Sequence, residues 1–561
     1  MDLFIKKVHS KATFILVFNI IFTQLVFGQL LQKKISYNKI DSLRGHLFPE
    51  RTCFDATFYH LDLEVDTDGQ KIKGSVLMHF NIKETTKKIQ LDAYPELKIQ
   101  HVVWNNKKLK FERGKTHFYV FFPEKLAKNS AHKLQIQYES APRKAKKAPW
   151  DGGFVWKKDD LGRPWMGVAC QGDGASLWWP CKDHWSDEPE KGVKIELKVP
   201  KPLFAVANGN LIKMDTTQEK NHFIWEVKNP INLYNVNISI GHYTHFNGIY
   251  KSKVDGDALQ LNYYVLDYNL EKAKKHFSVV PSMLDCFEAW GGKFPFYADG
   301  YKLVETPYLG MEHQSCIAYG NQYLMGYLGN TDYTGGHEFD YIIIHETGHE
   351  WYGNNITAKD PADMWIHEGF TTYLESIFVE CQLGKEAAVT YINHHKDHIS
   401  NTAPIRGDYH VAKEGHGDMY HKGSLIINTL RHQLDQDADW KNILNDFNKT
   451  FYHKTIHYND VVQFFSKAFK QDLSSFFHQY VTNASIPKLV IDWDTANPKN
   501  KIAKVTLKAD ALNFKLKTYY KIDGKDKSIW LEKDKMIVLP FEKSFEVNTD
   551  YTYIDTIFKN R

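Results

Sequence analysis

The chain has 561 residues and a mass of 65.3 kDa, room for three or four domains at about 150 residues each. It is 43% hydrophobic and 25% charged, which excludes a mainly disordered polypeptide. The formal net charge of +4 comes from interspersed signs, and the one short basic run, Arg143 to Lys147, reads as a solvated loop, so nothing recruits nucleic acid.

The first element reads as a leader. Lys6, Lys7 and Lys11 precede an apolar run from Thr13 to Phe27, and Gly28 offers a small residue before Gln29. Such a run falls short of the about 20 residues a bilayer span needs, and predicts a signal peptide over residues 1–28, cleaved after Gly28. The expectation is a secreted or periplasmic protein with no membrane span after cleavage; an uncleaved anchor is the alternative. Residues 29–250 then read as a large antiparallel β domain. Apolar and polar residues alternate in Tyr59–Val65, Lys71–Phe80, Lys133–Tyr138 and Val193–Val199, with turn signals at Asp68-Gly69, Asp151-Gly152-Gly153 and Asn208-Gly209. Over 251–485 the period becomes helical, with helices expected at Asn269–Trp290, Phe339–Trp351 and Met364–Leu383. Alternation returns over 486–561, in Lys488–Trp493, Ile502–Leu507, Phe514–Ile522 and Met536–Leu539, enough for a small β-sandwich. The fold class is multidomain α+β. Six cysteines in so long a chain make no disulfide framework. The spacing of Cys170 and Cys181 permits a pair without establishing one.

The sharpest signal is His345-Glu346-Thr347-Gly348-His349. Residues four apart share a helix face, so His345 and His349 can hold one ion from one rigid element. A catalytic zinc site takes three protein ligands and leaves one position open. Glu368, on the next predicted helix, supplies the third if the two helices pack antiparallel. By chance H-E-x-x-H would occur about 0.08 times in such a chain, and about 0.005 times with a Glu at one fixed spacing, so coincidence is a poor account.

With these residues the sequence resembles the gluzincin zinc aminopeptidases, the aminopeptidase N and leukotriene hydrolase group. The matching text is His345 to Asn354, Trp365-Ile-His-Glu-Gly-Phe-Thr-Thr-Tyr373, Gly310-Met311-Glu312 in place of the exopeptidase motif G-x-M-E-N, and Tyr420-His-Lys-Gly423 in place of Y-x-K-G. The resemblance implies an N-terminal β saddle domain, a thermolysin-like, mainly α catalytic domain and a small C-terminal β domain, a short form without the long helical C-terminal domain of the largest members. It implies one Zn2+ per chain on His345, His349 and Glu368, and peptides with a free N-terminus as substrates. Glu346 is then the general base, Tyr420 the hydrogen-bond donor to the oxyanion, and Glu312, with Gly310, Met311 and Gln171, the binding site for the substrate's end. Glu375, seven residues after Glu368, is expected to orient a ligand histidine. Three departures stand out. His313 replaces the usual Asn and, titrating near pH 6.5, is expected to weaken binding in acid; His367 also replaces an Asn, and Gly348 an Ala at about 1 kcal/mol of helix propensity. Alternatives on the same fold are an epoxide hydrolase, an endopeptidase, which Glu312 argues against, and a non-catalytic peptide-binding module.

Overall fold

The computed structural model describes residues 37–494 and 501–559, so the expected leader lies outside the described residues. Alternating burial builds the N-terminal part. In Val193–Pro200, for example, Val193, Ile195, Leu197 and Val199 face the core and the residues between them face outward. That strand lies inside an eight-stranded sheet whose centre runs Lys220–Val227, Val193–Pro200, Phe54–Asp66, Lys71–Ile82 and Ala131–Ser140. All its pairs are antiparallel except Phe54–Asp66 with Val193–Pro200, which run parallel. A four-stranded sheet packs beside it and includes Pro164–Ala169, the strand that ends just before Gln171.

A mixed five-stranded sheet follows, in the order Tyr243–Lys251, Ala258–Leu266, Tyr301–Glu305, Ile317–Tyr319, Gly310–Met311. Its first strand starts before residue 251, because Tyr243–Lys251 pairs along its length with Ala258–Leu266 rather than with the preceding sheets. The helices around the site are α1 (Leu270–His276), α2 (Val280–Gly291), α3 (Tyr341–Gly348), α4 (Trp365–Leu383), α5 (Lys385–His394) and α6 (His421–Arg431), with further helices at Asp437–Thr450 and Tyr458–Phe469 beyond them. The single helix expected over Asn269–Trp290 is thus two, joined by a 3-10 turn at Phe277–Val279. Pro281, in the first turn of α2, has no N–H to continue the ladder back to Phe277. α3 begins at Tyr341 because the Asp340 side chain accepts from Ile342 N and Ile343 N.

Beyond the helices, four strands (Met536–Phe541, Lys501–Lys508, Lys488–Asp494, Asp555–Lys559) and three (Lys525–Glu532, Lys515–Ile522, Phe545–Asn548) form two sheets. The Gln479 and Gln433 side chains accept backbone N–H groups from Asp510, Ala511 and Lys517, fastening these sheets to the helical part. One disulfide joins Cys286 on α2 to Cys381 on α4. Cys170 and Cys181 do not pair: both are buried free thiols, and Cys170 Sγ donates to Tyr234 O instead. Among the described residues no helix is long and apolar enough to cross a membrane.

Candidate metal centre and amine-binding corner

Two helix contacts build the centre. α3 lies on α4 at Gly348, where a Cβ would stand 3.1 Å from Thr371 Cγ2, so this glycine, costly for helix propensity, allows the close approach. α4 in turn meets α6 glycine on glycine: a Cβ on Gly423 would stand 2.6 Å from Gly369 Cα. The first contact brings Glu368 under the α3 histidines, and the second brings Tyr420 over them.

The ligand atoms converge. His345 Nε2 and His349 Nε2 are 3.1 Å apart, and Glu368 Oε2 lies 3.5 and 3.3 Å from them. Glu368 is 2% exposed and its Oε2 has no hydrogen-bond partner. A buried, orphaned carboxylate oxygen facing two imidazole nitrogens fits a divalent ion, and the N2O donor set fits zinc. Burial alone would raise the Glu368 carboxyl, yet the two histidines hold it below the usual carboxylate range.

The outward nitrogens are also held. His345 Nδ1 is 2.6 Å from Glu375 Oε1, and Tyr391 donates its hydroxyl to the other oxygen of Glu375. His349 Nδ1 is 2.9 Å from Tyr352 O, which fixes it as the donor. Glu375 is therefore buried, not an exposed helix carboxylate. Glu346 faces the cleft, and burial raises its carboxyl to about 8, with the charge of His345 and His349 pulling it down. Gly310 packs against it: a Cβ there would fall 2.7 Å from Ile342 Cγ2 and 2.8 Å from Glu346 Oε1.

Tyr420 lines the same cleft, its ring stacked on His345 at 6.0 Å. Burial and then the carboxylates of Glu368, Glu312 and Glu346 push its hydroxyl far above the ordinary tyrosine value, so it remains a donor. Lys422 of the same motif lies elsewhere: its buried ammonium donates to Asn483 O and Ala484 O, tying α6 to the chain ahead of the last strands.

Glu312 lies beside this centre, with ligand-type atoms of Glu312, Glu346 and His349 all within 4.8 Å of one another. Its Oε1 accepts from Gln171 Nε2 at 2.5 Å and from Tyr234 OH at 3.1 Å. Asn354 Nδ2 donates to Glu312 O, and Asn235 Nδ2 donates to Asn354 Oδ1. Tyr234, Asn235, Asn354 and Tyr391 escaped the sequence reading; only Asn354, closing the matched run from His345, carried any signal. The expectation for His313 is corrected: fully buried, it is driven down to about 3 and stays neutral through mild acid. His367 is likewise buried, accepts from Ala358 N and stacks on Trp185 at 5.1 Å. The cleft, about 680 Å³, is lined by Met311, Tyr327, Tyr333 and Tyr341 besides the groups above.

Known proteins share this architecture. Residues 268–480 match the peptidase family M1 domain, and residues 55–234 match the peptidase M1 N-terminal domain. A leucyl aminopeptidase of Saccharolobus solfataricus is 19% identical over 523 residues, covering 89% of this chain and 63% of that protein. Endoplasmic reticulum aminopeptidase 1 of Homo sapiens is 23% identical over 297 residues, 50% of this chain and 30% of that protein. The chain thus spans less than two thirds of the length of these relatives. The crystal structure of an M1 zinc metallopeptidase from Deinococcus radiodurans superimposes with a TM-score of 0.66 at 18% identity, over 78% of this chain and 95% of that one.

Proposed function

The chain belongs to peptidase family M1, and on that premise we propose that it is a zinc aminopeptidase, removing residues one at a time from the free N-terminus of peptides. One observation carries the reading: a buried carboxylate, Glu312, held by Gln171 and Tyr234 within 4.8 Å of Glu346 and His349. An α-ammonium paired with Glu312 by a charge-assisted hydrogen bond puts only the first amide against the hydrolytic groups.

His345, His349 and Glu368 would hold the zinc, which when bound acidifies water and polarises a carbonyl. The chain's own residues do the rest. Glu346, made more basic by burial, takes the proton of the attacking water and delivers it to the leaving amine. Tyr420, kept protonated, donates to the oxyanion developing at the scissile carbonyl. Glu375 and Tyr352 O fix the ligand imidazoles in the tautomer that points Nε2 inward. The proposal includes export, which the leader-like residues 1–28 and the Cys286–Cys381 pair both support, since such a pair persists in oxidising surroundings.

The test is one peptide offered to residues 29–561 in free and N-acetylated forms beside Glu346→Gln, with products read by mass spectrometry. Stepwise shortening of the free peptide alone, absent in the variant, is expected. Internal cleavage of both forms would overturn the role of Glu312.

A further inference from the structure

A second histidine pair repeats the geometry of the first. His394 closes α5, and the 3-10 turn His395–His398 continues it, placing His394 and His398 four residues apart on one outward face. Their Nε2 atoms are 3.2 Å apart, and their rings meet edge to face at 81° with centroids 4.9 Å apart. In the His345–His349 pair the values are 3.1 Å, 85° and 4.7 Å. With metal–nitrogen bonds of about 2.05 Å, either separation corresponds to an N–metal–N angle of about 100°. A direct imidazole contact of this kind needs one nitrogen to carry a proton and point it at the other; a metal ion uses both lone pairs at once.

The turn is built to hold this position. His395, between the two, is buried, its Nδ1 2.8 Å from Ser424 Oγ on α6 and its ring 4.9 Å from His421. That anchor keeps the backbone fixed while His394 and His398 remain open to solvent. Asp397 stands 3.7 Å from His394 Nδ1, on the side away from the pair, too far to hydrogen-bond but near enough for its charge to favour a bound cation. His421 lies 5.1 Å from the His398 ring, and His398 and His421 both line the cleft that holds Glu346.

We propose that His394 and His398 form a second transition-metal site at the rim of the cleft, a two-imidazole chelate for a borderline divalent ion such as Cu2+, Ni2+ or Zn2+. Among the described residues only two protein nitrogens converge there, so solvent or an exchangeable ligand completes the coordination. By the usual order of divalent affinities copper binds it more tightly than nickel or zinc. The site is independent of the aminopeptidase reading, because none of its residues belongs to the centre on α3 and α4.

The experiment uses the whole mature chain loaded with one equivalent of zinc and titrated with Cu2+, read by electron paramagnetic resonance with zinc retention checked by elemental analysis. One further copper per chain with two coordinated nitrogens is expected. His394→Gln and His398→Gln should each weaken that binding at least about tenfold, with unchanged melting temperatures and, for His394→Gln, unchanged peptide turnover. Copper uptake of equal stoichiometry and affinity in wild type and both variants would overturn the proposal. So would no uptake beyond the catalytic equivalent, which would leave the pair a plain imidazole hydrogen bond.

Discussion

At Gly310 one methyl group would decide where the base stands. A Cβ there collides with Ile342 and Glu346, and a displacement of about 1 Å at a reacting group costs about 10²-fold in rate. Gly310→Ala is therefore expected to lower kcat by about that factor with zinc content unchanged, measured by steady-state kinetics beside metal analysis. Glu346→Gln should remove about 10²–10⁴-fold and also leave the metal in place. His313 makes a different prediction, since burial drives it to about 3, as it also drives His184. Unfolded, both imidazoles protonate below about pH 6.5; folded, they do not until about 3. The unfolded chain thus binds more protons across that window, and stability present above pH 6.5 is lost as the pH falls. Each contributes about 1.4 kcal/mol per pH unit, so the melting temperature should drop from pH 6.5 to 4, and less steeply in His313→Asn.

Among the elements, the crossing of α4 and α6 at Gly369 and Gly423 links the proposed zinc ligand to the proposed oxyanion donor, because Glu368 precedes one glycine and Tyr420 lies three residues before the other. Gly423→Ala should cost about 1–3 kcal/mol through overpacking. It should also lower kcat more than KM changes, which denaturation and kinetics on one preparation would check. The disulfide between α2 and α4 closes a loop of 95 residues, and Cys286→Ser should cost about 2–4 kcal/mol. Denaturing the unreduced protein should expose four titratable thiols, those of Cys53, Cys170, Cys181 and Cys316. The sequence disclosed this level unevenly. His345, Glu346, His349 and Glu368 were legible because helical spacing fixes which residues share a face. The partner of Cys286 was not, since it depends on how two helices meet across 95 residues of chain. The break between α1 and α2 is carried by Pro281, whose signal a strong apolar period masks.

Across the whole molecule, the order β, helical, β was legible from the change of period along the chain, whereas the mixed sheet between Tyr243 and Tyr319 and the corner around Glu312 were not. Tyr234 sits in a 3-10 turn and Gln171 in the turn after Pro164–Ala169, both in the N-terminal β part, whereas Glu312 follows the edge strand of the mixed sheet. No local pattern announces a contact made over 78 residues of chain. Gln171→Ala removes one donor to the Glu312 carboxylate and should raise KM for free peptides about tenfold with little change in kcat, read from initial rates. The same arrangement has a wider consequence. On the proposed reading the groups that cut reside on α3, on α4 and just ahead of α6, but the measure of where to cut is shared across the seam between the N-terminal β part and the mixed sheet. On that reading, a molecule loosened at that seam would keep its blade and lose its ruler: hydrolysis would persist while the preference for a free N-terminus fell.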